Sequence, residues 1–254
     1  MGILQFARAL VPSPFHRYHY AHSLLQKWES ERRILGGRYA GMRYTSRAVG
    51  SVSIAKILGT YERELNRVWK DLERQSLSLI VDVGAAEGYH AIGLAREFAD
   101  IPVIAFEETE QGRRLLHKNV ALNELQARIR IDGRCEPEDL ARALQSLPAL
   151  VLVDVEGYEG VLLDPQRVPG LMQCHMVVEI HDHIEPGVGR RIVERFAPSH
   201  NVVAIPCESR HLGDIQNLGV MQKLYLKSIL KRWMRERIGD SGWLYMTPMY
   251  RPHG

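Results

Sequence analysis

Two hydrophobic regimes divide the chain. In roughly the first 75 residues the apolar positions recur at near-helical spacing, as at Leu24, Leu25 and Trp28 followed by Ile34 and Leu35. Gly36-Gly37 interrupt that segment. A second helical stretch is predicted from Ser53 to Arg74, with Leu58, Tyr61, Leu65, Val68, Trp69 and Leu72 on one side. No strand pattern precedes residue 77. Beyond it, short apolar runs at 77–83, 102–106, 128–131, 149–155, 175–180, 201–205 and 243–247 read as strands. Helical patterns fill 88–98, 109–123, 136–146, 157–163 and 188–196. Continuously apolar strands alternating with helices imply a parallel sheet covered on both faces, with right-handed crossovers. The predicted fold class is therefore α/β, a doubly wound, mostly parallel sheet. The stretch 208–240 exceeds an ordinary connection and contains a predicted helix, Val220 to Ile238, so it reads as a helical insertion. The expected organisation is a helical N-terminal extension over 1–75 and a sheet domain over 76–254.

Composition narrows the class without choosing a function. The chain has 254 residues, 45% hydrophobic and 25% charged, as in ordinary soluble globular proteins. A net charge of +3 from 33 basic and 30 acidic residues gives no strong nucleic-acid signal. The basic run Lys227 to Arg237 reads as a solvated helix face. Cys135, Cys174 and Cys207 are odd in number and form no C-x-x-C pair, which disfavours a cysteine zinc site and fits a cytoplasmic protein. No apolar run approaches the roughly 20 residues of a transmembrane segment. Met1 to Pro14 is mildly apolar, but Arg8 and Pro12 make it a poor secretory signal, and an amphipathic surface helix is left open. A homo-oligomer is compatible with the sequence.

The candidate chemistry lies where the predicted strands stop, since open parallel sheets bind ligands at their carboxyl ends. Residues 79–91, Leu-Ile-Val-Asp-Val-Gly-Ala-Ala-Glu-Gly-Tyr-His-Ala, end an apolar run in Asp82 and turn through Gly84 and Gly88 into a helix. Pyrophosphate sites use G-x-G-x-x-G. Here the spacing is G-x-x-x-G behind an acid, and a carboxylate there suits a cationic ligand. S-adenosylmethionine (SAM) has that character: ribose and adenine, no phosphate, a sulfonium and an α-amino group. A purely structural turn would look alike. Glu107 closes the second strand 23 residues after Gly84, at the distance where an acid accepts from ribose hydroxyls. Glu108 and Glu110 read as caps of the next helix. Asp132-Gly133-Arg134-Cys135 closes the third strand, where Gly133 and Cys135 could flank an adenine or form a generic turn.

Asp154-Val-Glu156-Gly157-Tyr-Glu159 closes the fourth strand, and acids at the end of a buried strand need partners. Candidates are an amino group, a metal ion or a substrate hydroxyl, with helix capping as the structural alternative. Glu179-Ile-His181-Asp182-His183 closes the fifth. His181 is the candidate general base, with Asp154 and Glu156 orienting a substrate or an ion. A divalent metal, if used, would find oxygen ligands in Asp154, Glu179 and Asp182. Lys56, Tyr61 and Glu62 precede the sheet and could fold over a cofactor. Trp28 and Trp69 read as core, and Arg210, His211 and Trp243 as candidates for the substrate side.

These strand-end residues resemble class I SAM-dependent methyltransferases, and the FkbM-type family in particular. The resemblance rests on residues 82–88, Phe106-Glu107, Asn119 and Asn123, Asp-Val-Glu-Gly-Tyr-Glu at 154–159, and Val-Glu-Ile-His at 178–181. The flanks at 59–62 and 243–245 are also similar. It implies a seven-stranded Rossmann-like sheet whose last strand is antiparallel. It implies SAM held by Asp82, Gly84, Gly88 and Glu107, with Ala85, Glu87 and Asp154 as further contacts. The implied activity is O-methylation of a hydroxyl on a small molecule, sugar or glycan, with a divalent metal in some relatives. Ala86-Glu87 stand where the family usually carries Asn or Asp. No Asn-Pro-Pro-Tyr motif follows the fourth strand, which argues against a nucleic-acid amino-methyltransferase. A protein or RNA methyltransferase, an NAD-dependent dehydrogenase and a non-catalytic SAM-binding protein are the rival readings.

Overall fold

A computed structural model describes residues 14–45, 52–235 and 242–249. Seven strands form: β1 Leu79–Val83, β2 Val103–Phe106, β3 Ile129–Asp132, β4 Ala149–Val153, β5 His175–Glu179, β6 His200–Ile205 and β7 Trp243–Pro248. They lie in one sheet in the order β3-β2-β1-β4-β5-β7-β6. The first five run parallel, and β7 inserts antiparallel between β5 and β6. The strand pattern predicts the doubly wound, mostly parallel sheet, and the seven strands with the last one antiparallel are what the family resemblance implies.

Every residue of β1, β2, β4 and β5 is buried, which is why these strands read as continuous apolar runs. Val81, Val83, Val151, Val153, Met176 and Val178 pack in the larger core with Ile192 and Phe196 of the helix Val188–Phe196. Each such side chain contributes about 1.5–3 kcal/mol on burial. The strand faces that carry no chemistry thus fix the register, and the polar residues are left at the strand ends.

Three helical predictions need correction. The stretch from Ser53 to Arg74 is three pieces: Ser53–Leu58, a 3-10 turn at Arg63–Leu65, and Asn66–Leu72. Gly59 ends the first piece at φ +74°, and a Cβ there would lie 1.9 Å from the carbonyl oxygen of Gly36. The helix predicted from Val220 is Val220–Tyr225 followed by Lys227–Trp233, with Leu226 at the joint. Its predicted end at Ile238 lies outside the described residues. Ile34 and Leu35, though spaced like helix positions, fall beyond the helix Pro14–Glu31. Arg32 takes φ +49° there, and Arg33 forms an isolated antiparallel bridge with Arg43. The surface-helix reading of the N-terminus likewise lies outside the described residues, except for Pro14.

The chain divides into two compact units. One gathers the described residues of 14–45, 52–61 and 209–235, and the other those of 62–208 and 242–249. The first has its own apolar core, in which Ala21, Trp28, Ile57, Leu58, Leu226 and Leu230 meet. Among the described residues, no helix is long and apolar enough to cross a membrane.

Candidate active site

From β1 the chain proceeds to β2 and β3 on one side of the sheet, whereas β4 and β5 lie on the other. The loops after β1 and β4 therefore diverge at a topological switch point, the crevice where such sheets bind ligands. Gly84 sits at its base at φ +89°, and a Cβ there would lie 1.8 Å from the carbonyl oxygen of Asp154. Gly88, at φ +91°, leaves no more room: its Cβ would stand 2.3 Å from Leu116 Cδ1. Only glycine permits this approach of the β1 loop to β4 and to the helix Glu110–Leu122. The amides of Gly84 and Ala85 both donate to the carbonyl of Phe106, at 3.0 and 2.9 Å. Ala86 takes φ +47°, and its amide donates to Glu107 Oε2 at 2.8 Å. The buried amide of Asn119 donates to the carbonyl of Glu87 at 2.9 Å, pinning the far side of the loop.

Asp82 lies beneath this loop, buried. Burial pushes its carboxyl up to about 7, and the charges of Asp154 and Glu107 add to that, against the opposing pull of His90 and the Ala91 amide. Its Oδ2 has no hydrogen-bond partner among the described residues. A buried carboxylate oxygen without a donor is costly, and a cation or N–H donor from a ligand would relieve it. His90 joins this wall, with Nε2 2.5 Å from Glu62 Oε2 and its ring 5.6 Å from that of Trp69. From sequence Glu62 was a candidate to fold over a cofactor, whereas His90, within the 79–91 stretch, carried no assigned role. A histidine two residues past Gly88 was the available signal.

Glu107 is more heavily engaged than a ribose-binding role alone requires. Its Oε1 accepts from the amide of Thr109 at 2.8 Å and the hydroxyl at 2.5 Å, while Oε2 takes the Ala86 amide. A carboxylate offers about four acceptor positions, so Oε2 retains one. Thr109 also caps the helix Glu110–Leu122 by accepting from the Gly112 amide at 3.0 Å. Thr109→Ala is expected to cost about 1–2 kcal/mol, read as a lower urea midpoint at unchanged slope, and Thr109→Ser to recover most of it. Glu108 and Glu110 pair with Arg134 and Arg114 at the surface. Gly133 is not sterically required, because a Cβ there meets nothing within 4 Å. Cys135 is buried, and burial, followed by the charges of Asp139 and Glu136, pushes its thiol up to about 12. It is a packing thiol, not a nucleophile.

The ends of β4 and β5 meet at His181. This ring is buried, with Nδ1 2.5 Å from Oε1 of the fully buried Glu159. The Gly157 amide donates to the same oxygen at 3.2 Å. A carboxylate can only accept, so Nδ1 carries the proton and Nε2 of the neutral ring bears the lone pair. Around Nε2 stand Glu156 Oε2 at 3.5 Å, Asp154 Oδ1 at 3.6 Å and Glu179 Oε1 at 3.7 Å. Burial alone would lower the His181 pKa, but the hydrogen bond and charge of Glu159, with Asp154 and Glu156, hold it above the usual value. The turn that achieves this is strained. Glu156 takes φ +49°, at about 1–2 kcal/mol for a non-glycine residue, and Gly157 follows at φ +97°. One donor atom each from Asp154, Glu156 and His181 lie within 4.8 Å of one another.

The structure thus brings Asp154, Glu156, Glu179 and His181 together, and adds Glu159, whose orienting role the sequence did not disclose. Asp182 is not part of the cluster: its Oδ1 accepts from the Gly189 amide at 3.1 Å, at the start of the helix Val188–Phe196. His183 is exposed, and Trp243 is buried.

No protein-family model and no curated protein matches this chain. Solved structures do. One is a protein named as an O-methyltransferase of Klebsiella pneumoniae, 14% identical over 78% of this chain and 87% of that one, with a TM-score of 0.51. Another is the precorrin-6y C5,15-methyltransferase of Geobacter metallireducens, 10% identical over 75% of this chain and 90% of that one, with a TM-score of 0.50. At these identities the likeness establishes the methyltransferase fold.

Proposed function

We propose that the protein is a SAM-dependent methyltransferase of FkbM type that methylates a hydroxyl on a small molecule, sugar or glycan in the cytoplasm. The observation that carries this reading is the buried Glu159–His181 pair, which leaves the ring's Nε2 among Asp154, Glu156 and Glu179 at the ends of β4 and β5. The residues suit SAM. Asp82 Oδ2 lacks a donor that an α-amino group would supply, Glu107 keeps an acceptor position for a ribose hydroxyl, and Gly84 and Gly88 let the β1 loop turn tightly against Asp154 and Leu116. Ala85, Glu87, Gly133 and Cys135 would complete the lining. Bound SAM supplies an activated methyl on a sulfonium, open to in-line displacement.

Nε2 of His181 takes the acceptor's hydroxyl proton as the oxygen attacks. Glu159 fixes the ring and its tautomer. Asp154, Glu156 and Glu179 stabilise the imidazolium that forms, and the exposed Glu156 reaches the substrate side. Positioning supplies much of the remaining acceleration.

A second reading has one favouring observation, the convergence of donor atoms from Asp154, Glu156 and His181. These two oxygens and one nitrogen could hold a divalent cation that orients and acidifies the hydroxyl. Glu179 stands beside them, whereas Asp182 is committed to Gly189. The experiment is transfer of labelled methyl from SAM to a panel of sugars and polyols, before and after EDTA dialysis. Alkali-stable methyl ethers formed equally in both preparations support the base. A loss above about tenfold, restored by Mg2+ or Mn2+, supports the metal. Label appearing only in protein or RNA would replace the hydroxyl reading, and SAM binding without transfer would support a non-catalytic protein.

A further inference from the structure

The unit built from the N-terminal helix and residues 209–235 carries a surface that its own fold leaves unexplained. The helix Val220–Tyr225 has no buried residue. Three of its apolar side chains face solvent: Val220 is 72% exposed, Met221 78% and Leu224 59%. Val220 and Met221 lie four and three positions before Leu224, so both neighbour it on the helix surface and the three form a contiguous patch rather than scattered surface residues. Beside it, Tyr20 of the helix Pro14–Glu31 accepts a hydrogen bond from Gln222 at 2.7 Å, and its ring lies 6.1 Å from that of Tyr225.

The same segment is one-signed in charge. From Ile215 to Arg235 there is no acidic residue, while Lys223, Lys227, Lys231, Arg232 and Arg235 are all basic. Lys227, Lys231, Arg232 and Arg235 are exposed. The following helix, Lys227–Trp233, is anchored from below by Leu226, Leu230 and Met234, which are buried in the unit's core. The exposed apolar helix therefore leads directly into a helix that the unit's core anchors and that carries exposed cations.

From this combination we infer that the face formed by Val220, Met221 and Leu224 docks on an anionic lipid surface, with the flanking lysines and arginines over the headgroups. Cations without intervening acids match a negative surface, and exposed aliphatic side chains match the acyl boundary. A nucleic acid would use the cations but leave the aliphatic side chains in water, so lipid is the better match. The association is peripheral. Each cation at such a surface adds about fivefold in partitioning, and the aliphatic insertion adds to that.

The test is sedimentation of the full chain with phosphatidylcholine vesicles, with and without about 30 mol% phosphatidylglycerol. The expected result is binding to the anionic vesicles at least about tenfold tighter than to the neutral ones. Lys227→Glu combined with Lys231→Glu should abolish it. Met221→Ser combined with Leu224→Ser should weaken it at least about tenfold, with an unchanged circular dichroism spectrum and melting temperature. Equal binding to both vesicle types, or none to either, overturns the proposal. So does binding to which the serine variant is indifferent and which single-stranded RNA removes by competition. Concentration-dependent dimers that the serine pair disrupts would assign the face to a second copy instead.

Discussion

His181→Gln lowers methyl transfer by about a hundredfold or more while SAM affinity stays within about twofold. Glutamine preserves the approximate size and a polar contact to Glu159 but cannot accept and release a proton. The pH dependence separates a base from a structural residue. The ring must be neutral to act, and Glu159 holds its pKa above the usual value of about 6.5. Turnover of the wild type should therefore rise with pH through a midpoint above 6.5. Glu159→Gln removes the charge that raises this midpoint, so the limb should move toward acid while the plateau falls. A residue that merely held the turn would lower the plateau without moving the limb. Initial rates from pH 5 to 9 for the three proteins decide it, and an unchanged rate in His181→Gln would end the base assignment.

Asp82→Asn should separate stability from binding. The folded-state pKa of Asp82 lies at about 7, above the ordinary aspartate value of 3.8. Between these values the folded state holds a proton that the unfolded chain releases. Stability contributed at acidic pH is consequently lost as pH rises from about 4 to about 7, by up to about 1.4 kcal/mol for each pH unit. Asparagine has no proton to lose. The ligand-free variant should melt with the wild type near pH 4 and several degrees above it at pH 8. A cationic ligand gains from the ionised aspartate, so SAM should bind the variant about ten- to a hundredfold more weakly. In the wild type, binding near pH 6–7 should release a proton, seen as different calorimetric heats in buffers of different ionisation enthalpy. A variant no more stable than the wild type at pH 8 would show that Asp82 is not held against its charge.

The sheet was legible because burial on both faces leaves continuous apolar runs, as in Leu79–Val83 and Ala149–Val153, and these need no knowledge of neighbours. The strand-end positions of Asp82, Glu107, Asp154 and His181 followed from the same runs. What the sequence hid depends on contacts across the fold. The break at Gly59 is imposed by the backbone at Gly36, a pairing no periodicity carries. Glu159 became the partner of His181 only through a strained turn at Glu156 and Gly157 and across a separation of 22 positions. Asp182 looked equivalent to Glu179 in a list of acids, yet the chain turns it to the Gly189 amide. Glu107 matched a ribose-binding position by spacing, whereas its contacts to Ala86 and Thr109 show that it also braces the loop.

The most direct test of the central claim is a crystal structure with S-adenosylhomocysteine. The account predicts the adenosine over Gly84–Gly88 with its ribose at Glu107, the amino group bonded to Asp82, and the sulfur open toward His181 Nε2. S-adenosylhomocysteine bound elsewhere, or held with its sulfur turned away from a walled-off His181, would contradict it.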